Sequence, residues 1–359
     1  MTHIYVIPPE FNTVNDIQNY EVTKTGQLID GLYTYSAFPV IAQFNGQEVI
    51  AFRSAYEHYT RENSYGVTTL YVRNPDGTVE LKRTIANDDE ALTGQYSGEL
   101  RVGGLGVTPD GTKLIVMGFS DLGGNNSQFD NVLILLDTDF EIVGVNVIEQ
   151  NASSLLCGKV TFTPSGYMIT TGYAKNQTSI VQYKSNEVYS NNFEQLTFTK
   201  TTICTGTLIS EPDIGFTDNG LACIVRGHTE NSPIVFATDA EGTSWGTPYA
   251  LGSPLHSPRI LEYTQGNYMV YGGARYISSS IRKPVIGVYD IANHKVLQES
   301  VIWDDHECYG YYLDFVKLSD TIYDVVFYVD YLARNSFLSK IVYKRINIRE
   351  VCPVVNRFM

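Results

Sequence analysis

Four arginines stand at comparable places in the chain, each beside a short apolar segment: Arg53, Arg101, Arg226 and Arg275. A guanidinium group can donate two parallel hydrogen bonds to one carboxylate or phosphate. If the fold brings these side chains together, they form a binding site for an anionic ligand. The alternative is that each arginine only pairs with a neighbouring carboxylate at the end of its strand.

These arginines belong to a strand–turn–strand unit that recurs six times. The turns lie at positions 46, 111, 166, 220, 266 and 320, so the intervals are 65, 55, 54, 46 and 54 residues. Asn-Gly and Asp-Gly pairs between apolar segments indicate tight hairpins, because such turns need positive φ. The interval fits one four-stranded propeller blade with its loops. The spacing therefore predicts an all-β fold, a six-bladed β-propeller of four-stranded antiparallel blades; the alternative is a pair of β-sandwiches with accidental turn spacing.

No linker interrupts the repeat, so residues 1–359 are predicted to form a single propeller domain. The six blades are expected near residues 30–85, 95–150, 153–200, 205–250, 254–300 and 308–350. In each hairpin the start of the first strand and the end of the second lie on the same face. This geometry predicts that the four arginines share one face of the propeller with Glu211 and the pair Tyr311 and Tyr312.

Composition excludes several classes of partner. Asp and Glu number 39 against 25 Lys and Arg, a net charge of −14, which disfavours nucleic acid and anionic membranes. The N-terminal residues show no basic segment followed by an apolar one, so no signal peptide is predicted. The five scattered cysteines are interpreted as reduced core thiols. No cofactor and no metal site are expected; the run Asp304-Asp305-His306-Glu307 is interpreted as a solvated loop.

Several segments, in order along the chain, resemble the sialidase (neuraminidase) superfamily, and in particular its sialidase-like propellers. Residues 210–226, from Ser-Glu-Pro to an arginine, are similar to the segment that carries a catalytic Glu and a triad Arg. Residues 272–275 (Gly-Gly-Ala-Arg) and 311–316 (Tyr-Tyr-Leu-Asp-Phe-Val) resemble the segments with another triad Arg and the tyrosine nucleophile. Residues 237–245 resemble a degenerate Asp-box, with Asp239 one residue further from Trp245 than the usual pattern.

The resemblance implies roles for individual residues. Arg226 and Arg275 would hold the carboxylate of a sialic acid, and Glu211 would activate Tyr312 as the nucleophile. Tyr311 or Tyr309 would replace Tyr312 if the register differs.

The chain also departs from the family pattern. Ala37 stands where ordinary sialidases have an arginine, a place that Arg53 or Arg101 would have to fill in space. The usual general acid has no clear counterpart, and the corresponding loop holds Glu57, His58 and Glu62. We assign His58 to the predicted substrate-binding group together with the four arginines and Tyr311.

These departures favour binding over efficient turnover. The sequence predicts a propeller that recognises acidic glycans. We expect it in a phage particle, as a virion or tail component in contact with other virion proteins, or otherwise in the cytoplasm. One alternative is a retaining exo-sialidase or related glycoside hydrolase. Another is a purely structural propeller that mediates assembly.

Overall fold

A computed structural model describes residues 35–56, 58, 65–74, 78–123, 128–217, 220–229, 231–252, 254–261, 267–276, 282–303, 309–330 and 339–357, together with two strands at 3–6 and 20–23. Most of these residues lie in antiparallel strands. Within these ranges the helical segments are a single turn, α1 (Ile348–Val351), and short 3₁₀ segments at Glu90–Leu92, Phe193–Gln195 and Pro353–Arg357. No helix in the described ranges is long and apolar enough to cross a membrane.

The two N-terminal strands, β1 (His3–Val6) and β2 (Tyr20–Thr23), pair with each other. Six further sheets follow in chain order. The first three blades consist of β3 (Tyr35–Phe44), β4 (Gln47–Ala55), β5 (Val67–Arg73) and β6 (Val79–Ile85); β7 (Glu99–Val107), β8 (Leu114–Asp121), β9 (Phe129–Leu136) and β10 (Ile142–Glu149); and β11 (Ser154–Leu156), β12 (Thr161–Phe162), β13 (Tyr167–Ala174), β14 (Ser179–Val188) and β15 (Phe198–Thr205).

The last three blades consist of β16 (Ile209–Thr217), β17 (Gly220–Gly227), β18 (Pro233–Phe236) and β19 (Tyr249–Ala250); β20 (Leu255–Leu261), β21 (Tyr268–Tyr276), β22 (Arg282–Asp290) and β23 (Lys295–Val301); and β24 (Tyr309–Lys317), β25 (Ile322–Asp330) and β26 (Ser339–Asn347). In the sixth blade, β1 contacts the outer strand β26. The predicted all-β, six-bladed propeller of four-stranded antiparallel blades is confirmed. In the third blade β11 and β12 both pair with β13 and together form the inner strand, and the described part of the sixth blade has three strands.

The burial of each strand follows from its place in the blade. The second and third strands of a blade are covered on both faces by neighbouring blades, so they are apolar almost throughout. In β9 the last six residues are all buried, and in β25 Val325, Val326 and Phe327 are fully buried. The first four residues of the outer strand β6 instead alternate between half-buried and exposed positions, as expected for a strand with one solvated face.

The predicted turns form hairpins where the structure describes them. Asn45 and Gly46 both have positive φ (49° and 71°), the geometry of a type I′ turn that joins β3 to β4. Gly111 and Gly166 also have positive φ at the second and third predicted turns. Gly266, at the fifth turn, lies outside the described residues.

The innermost strands share a β-bulge near their starts. The register shifts between Ala37 and Val40 in β3, and the same two-residue skip occurs in β16, β20 and β24. In three blades a non-glycine residue with positive φ precedes a proline at the bulge: Phe38 (57°), Glu211 (46°) and Ser257 (43°). A bulge bends the strand and redirects its side chains, and two of these residues, Phe38 and Glu211, line a cavity at this end of the strands. Non-glycine residues in this conformation are strained and concentrate at functional sites.

The cysteines are thiols in the part of the chain that the structure describes. Cys204, Cys223 and Cys352 are buried, and Cys157 is half-buried. Cys308 lies outside that part.

Candidate functional site

A cavity of about 200 Å³ lies at the bulged ends of the innermost strands. The residues that line it come from all six blades and include aromatic, cationic and acidic side chains. They are Phe38, Pro39, His58, Arg101, Val102, Gly103, Phe119, Leu156, Cys157, Tyr173, Glu211, Arg259 and Tyr312.

Glu211, Tyr312 and Arg226 meet at the wall of this cavity. The Tyr312 hydroxyl donates to Oε1 of Glu211 at 2.5 Å, and Nη1 of Arg226 lies 2.5 Å from the same oxygen. Nη1 of Arg226 also lies 3.0 Å from the Tyr312 hydroxyl. The second carboxylate oxygen accepts a hydrogen bond from the backbone N–H of Ser257 at 3.2 Å. The bulge of β16 aims Glu211 at the cavity, and the bulge of β24 does the same for Tyr312.

The protonation states of this group follow from its surroundings. Burial alone would raise the pKa of Glu211, but the Arg226 charge and the Tyr312 hydrogen bond outweigh it and hold that pKa below its ordinary value. Burial, aided by the Glu211 charge, raises the pKa of Tyr312 well above its ordinary value. At neutral pH the site therefore holds a neutral phenol that donates to an ionised carboxylate.

Arg53 and Arg101 share one buried carboxylate, Glu99. Arg53 binds it through Nε at 2.6 Å and Nη2 at 3.2 Å. Arg101 lies 3.2 Å from Glu99 and 3.2 Å from Asp121, and it lines the cavity. The backbone N–H of Gly66 also donates to Glu99.

His58 belongs to the aromatic wall of the cavity. Its Nδ1 lies 2.7 Å from the Tyr35 hydroxyl, and its ring meets that of Phe38 edge-on at 5.5 Å. Burial lowers the pKa of His58 to about 4, and the charges of Arg101 and Arg53 act in the same direction. His58 is therefore uncharged at neutral pH.

Arg275 does not line the cavity. It is held by Glu299 on β23, the outer strand of the same blade, with Nε 2.9 Å from Oε1 and Nη2 2.8 Å from Oε2. The Tyr271 hydroxyl donates to the same carboxylate at 2.8 Å. Each of the four predicted arginines thus has a carboxylate partner, which was the alternative interpretation of the sequence. Two of them are also at the cavity: Arg101 lines it, and Arg226 contacts Glu211 and Tyr312.

Two further arginines near the site were missed in the sequence. Arg282 begins β22, and its Nη1 lies 3.3 Å from Nδ1 of His256. Because the third strand of a blade also starts on the cavity face, its first residue could have been assigned to that face from the sequence. Arg259 directly follows the bulge of β20, and its charge in an otherwise uncharged strand was the available signal.

Some of the other predicted features lie in the described residues, and others lie outside them. The side chain of Tyr311, in β24, lies outside the described part, as do Glu57, Glu62 and residues 304–307. The Asp-box-like segment forms a turn in which Asp239 accepts hydrogen bonds from the backbone of Glu241 and Thr243 at 2.9 and 3.0 Å. Across the described residues, no cluster of three or more His, Cys, Asp and Glu side chains is arranged to hold a metal ion.

No family model and no curated protein match the chain. Solved structures do. The Hadza microbial sialidase Hz136 superimposes with a TM-score of 0.66 and 13% identity over 90% of this chain and 67% of that chain. Trypanosoma rangeli sialidase in complex with the inhibitor DANA gives a TM-score of 0.67 and 13% identity over 95% of this chain and 58% of that one. The chain has a sialidase-like propeller fold.

An α-L-arabinanase from Penicillium chrysogenum, complexed with arabinobiose, is also similar, with a TM-score of 0.56 and 13% identity over 98% of both chains. The sialidase-like fold is thus shared with proteins that bind quite different sugars. The chain spans only 58% of the length of the trypanosomal protein.

The sialidase-like propeller has an aromatic ring beside the position where the resemblance expects the first arginine. Phe38 follows Ala37 and packs edge-on against Tyr312 at 4.9 Å and Tyr328 at 5.6 Å. The neighbouring Arg53 is turned to Glu99 instead. This wall of the cavity is therefore more apolar than a site with three converging arginines.

Proposed function

We propose that the cavity binds a terminal acidic sugar of a glycan, and that recognition rather than rapid turnover is its function. One observation carries the proposal: Tyr312, Glu211 and Arg226, from two different blades, meet within 3.0 Å at the cavity wall of a sialidase-like propeller. Arg226 supplies positive charge for an anionic group of the sugar. Phe38 and Tyr173 supply ring faces and edges for its apolar surface.

The second candidate function is hydrolysis with retention of configuration, and the Tyr312–Glu211 hydrogen bond favours it. In that reaction the Tyr312 oxygen bonds to the anomeric carbon as the glycosidic C–O bond breaks, and Glu211 takes the phenolic proton. The leaving oxygen needs a proton, and water then releases the sugar from Tyr312.

The supply of that proton limits the second candidate. Among the described cavity-lining residues Glu211 is the one carboxylate, and it serves as the base. His58, with its pKa lowered to about 4 by burial, is in its neutral form at neutral pH and is therefore not a general acid. We therefore expect binding with slow turnover or none.

A binding and turnover experiment separates the candidates. Wild type, Tyr312→Phe and Arg226→Lys would be assayed on a glycan array and with a fluorogenic sialoside. Arg83→Lys is the control, because Arg83 pairs with Asp89 and Glu141 on the outer strand of the first blade. We expect acidic glycans to be bound by wild type and Tyr312→Phe and at least tenfold more weakly by Arg226→Lys.

Each other result has a definite meaning. Wild-type turnover that disappears in Tyr312→Phe would replace the binding proposal by the hydrolase. If wild type binds no glycan and cleaves no sialoside, both the binding proposal and the hydrolase are overturned. The remaining alternative is then a structural propeller that mediates assembly.

We also propose, from the sequence alone, that the protein is a virion or tail component that contacts acidic cell-surface sugars alongside other virion proteins. Mass spectrometry of phage particles purified from a culture that produces the protein tests this location. Its absence from the particles would contradict it.

A further inference from the structure

A second cavity lies on the face of the propeller opposite the candidate site, at the seam between the first and sixth blades. It has a volume of about 460 Å³, and it is formed where the inner strands β3 and β24 end, far from their bulged starts. The polar side chains that line it are Gln43, Gln47, Glu48, Arg73, Lys317 and Arg345. The two cavities have no lining residue in common, so the seam cavity is a separate site.

Three side chains of the seam cavity have donors that a ligand could use. Lys317 pairs with Asp320 at 3.1 Å, and because the two side chains are 32% and 76% exposed, this surface pair contributes little and can exchange. Gln43 is half-buried, and its side-chain amide makes no hydrogen bond to the described residues. In the same part of the chain Nη1 of Arg345 makes none, since that guanidinium binds Asp324 through Nε and Nη2.

The buried carboxyl groups of the seam do not balance its cations. Burial raises the pKa of Glu48 well above its ordinary value, and the hydrogen bond and charge of Asp324 add to this effect. Arg73 and Arg345, at 3.2 and 3.7 Å from Glu48, oppose the shift with less effect. At neutral pH the two carboxyl groups therefore carry about one negative charge between them, against the positive charges of Arg73, Lys317 and Arg345. Even with the exposed carboxylate beside Lys317, the cavity keeps a positive excess in a chain whose net charge is −14.

We propose that the seam cavity binds a phosphate group, either free phosphate or the phosphate of a small phosphorylated molecule. Lys317 and Arg345 approach from the sixth blade and Gln43 from the first, so the donors lie on different sides of a ligand. A tetrahedral oxyanion has oxygens in all these directions, whereas a planar carboxylate is satisfied by a single guanidinium fork. The volume also leaves room for an organic group attached to the phosphate. This site does not depend on the sugar proposed for the other face.

Calorimetric titration with inorganic phosphate and with glucose 6-phosphate at pH 7 tests the site. Lys317→Gln removes one cation from the cavity. Lys82→Gln is the matched control, because Lys82 is 29% exposed and pairs with the exposed Glu80 on the outer strand of the first blade. We expect wild type and Lys82→Gln to bind phosphate equally well. Lys317→Gln should bind it about tenfold more weakly, the effect of losing one charge-assisted hydrogen bond.

A second variant separates a specific contact from a change in net charge. Gln43→Leu removes an uncharged donor and leaves the charge of the chain as it is. Because a neutral hydrogen bond contributes less than a charged one, we expect phosphate to bind about threefold more weakly to this variant. The variant also provides a test if Lys317→Gln does not fold.

The two probes identify the source of the phosphate group. Tighter binding of glucose 6-phosphate than of phosphate supports a phosphorylated small molecule, and the reverse order supports the free ion. If wild type binds neither probe, or if the folded variants Lys317→Gln and Gln43→Leu bind like wild type, the seam site is overturned. It is also overturned if phosphate binding is weakened by Arg226→Lys and not by Lys317→Gln, because the anion then occupies the candidate site. In each of these cases the proposal of sugar binding on the other face stands or falls by its own experiment.

Discussion

At the scale of single residues, the contacts of Glu211 and Tyr312 determine which of the two carries the proton. Arg226 holds Glu211 ionised, and burial together with Glu211 keeps Tyr312 protonated. The phenol is thus hydrogen-bonded to a group that can accept its proton. A tyrosine is a suitable partner for an acidic sugar because, unlike a carboxylate, it does not repel the ligand's own negative charge.

His58 gives a pH prediction at this scale. Its pKa is lowered to about 4 by burial and by Arg101 and Arg53, whereas an unfolded histidine has a pKa near 6.5. The unfolded chain therefore binds the proton more readily than the folded chain. The contribution of His58 to the unfolding free energy is fully present above pH 6.5 and is lost as the pH falls toward 4. Between pH 7 and 4.5, we expect wild type to lose about 1 to 2 kcal/mol more unfolding free energy than His58→Gln.

Urea unfolding at several pH values measures this difference. His294→Gln is the control, because His294 is an exposed residue stacked on Tyr249 at 3.5 Å and distant from the cavity lining. Equal pH slopes for wild type and His58→Gln would show that His58 is not buried among cations as described.

At the scale of elements, the inner strands approach each other so closely that glycine is required. A Cβ atom on Gly104, in β7, would lie 1.7 Å from the backbone oxygen of Gly158 in the next blade. Gly104→Ala must push two blades apart, so we expect it to lower the unfolding free energy by about 3 kcal/mol or more.

The matched control for Gly104→Ala is Gly246→Ala, an exposed position where the nearest atom would be 3.3 Å away. Its unfolding free energy should stay within about 0.5 kcal/mol of wild type. Equilibrium urea unfolding of both variants makes the comparison. Similar midpoints for the two would argue against close packing of β7 on the third blade.

The elements were the most predictable part of the molecule. Asn45 and Gly46 identify their hairpin because few residues adopt positive φ at both central turn positions, and the repeat of such turns gives the blade count. The bulges were less visible, since neither Phe38 nor Glu211 is a residue type that favours the positive φ it has in the structure. Arg259 could not be assigned to the cavity floor from sequence, since its neighbours Asp213 and Asp314 are 46 and 55 residues away along the chain.

At the scale of the whole molecule, two sets of polar contacts hold the ring of blades closed. One joins the last blade to the first, and the other crosses the central axis. At the edge, the Ser339 hydroxyl in β26 accepts from the backbone N–H of Ser36 at 2.7 Å and donates to its carbonyl at 2.6 Å. These bonds join the last blade to the first across most of the chain. Closure matters because an open propeller would expose the unpaired edges and apolar faces of two blades.

On the axis, one polar network reaches every blade. Asp314 of the sixth blade accepts from the backbone N–H of Ile41 in the first at 3.0 Å and lies 3.7 Å from Lys159 of the third. Arg259 of the fifth blade reaches Gly103 of the second and Asp213 of the fourth. The network that forms the floor of the cavity is therefore also the part that holds the ring of blades together.

This double role leads to a prediction for Asp314→Asn. The amide keeps the shape and can still accept from Ile41, but it leaves Lys159 and Arg259 with one buried carboxylate instead of two. We expect the unfolding free energy to fall by about 3 kcal/mol, the usual cost of breaking a buried ion pair. Asp320→Asn, whose carboxylate is 76% exposed beside Lys317, should change it by less than about 0.5 kcal/mol. If urea unfolds both variants at the same concentration, the axial network contributes nothing to closure, and the blades are held by apolar packing alone.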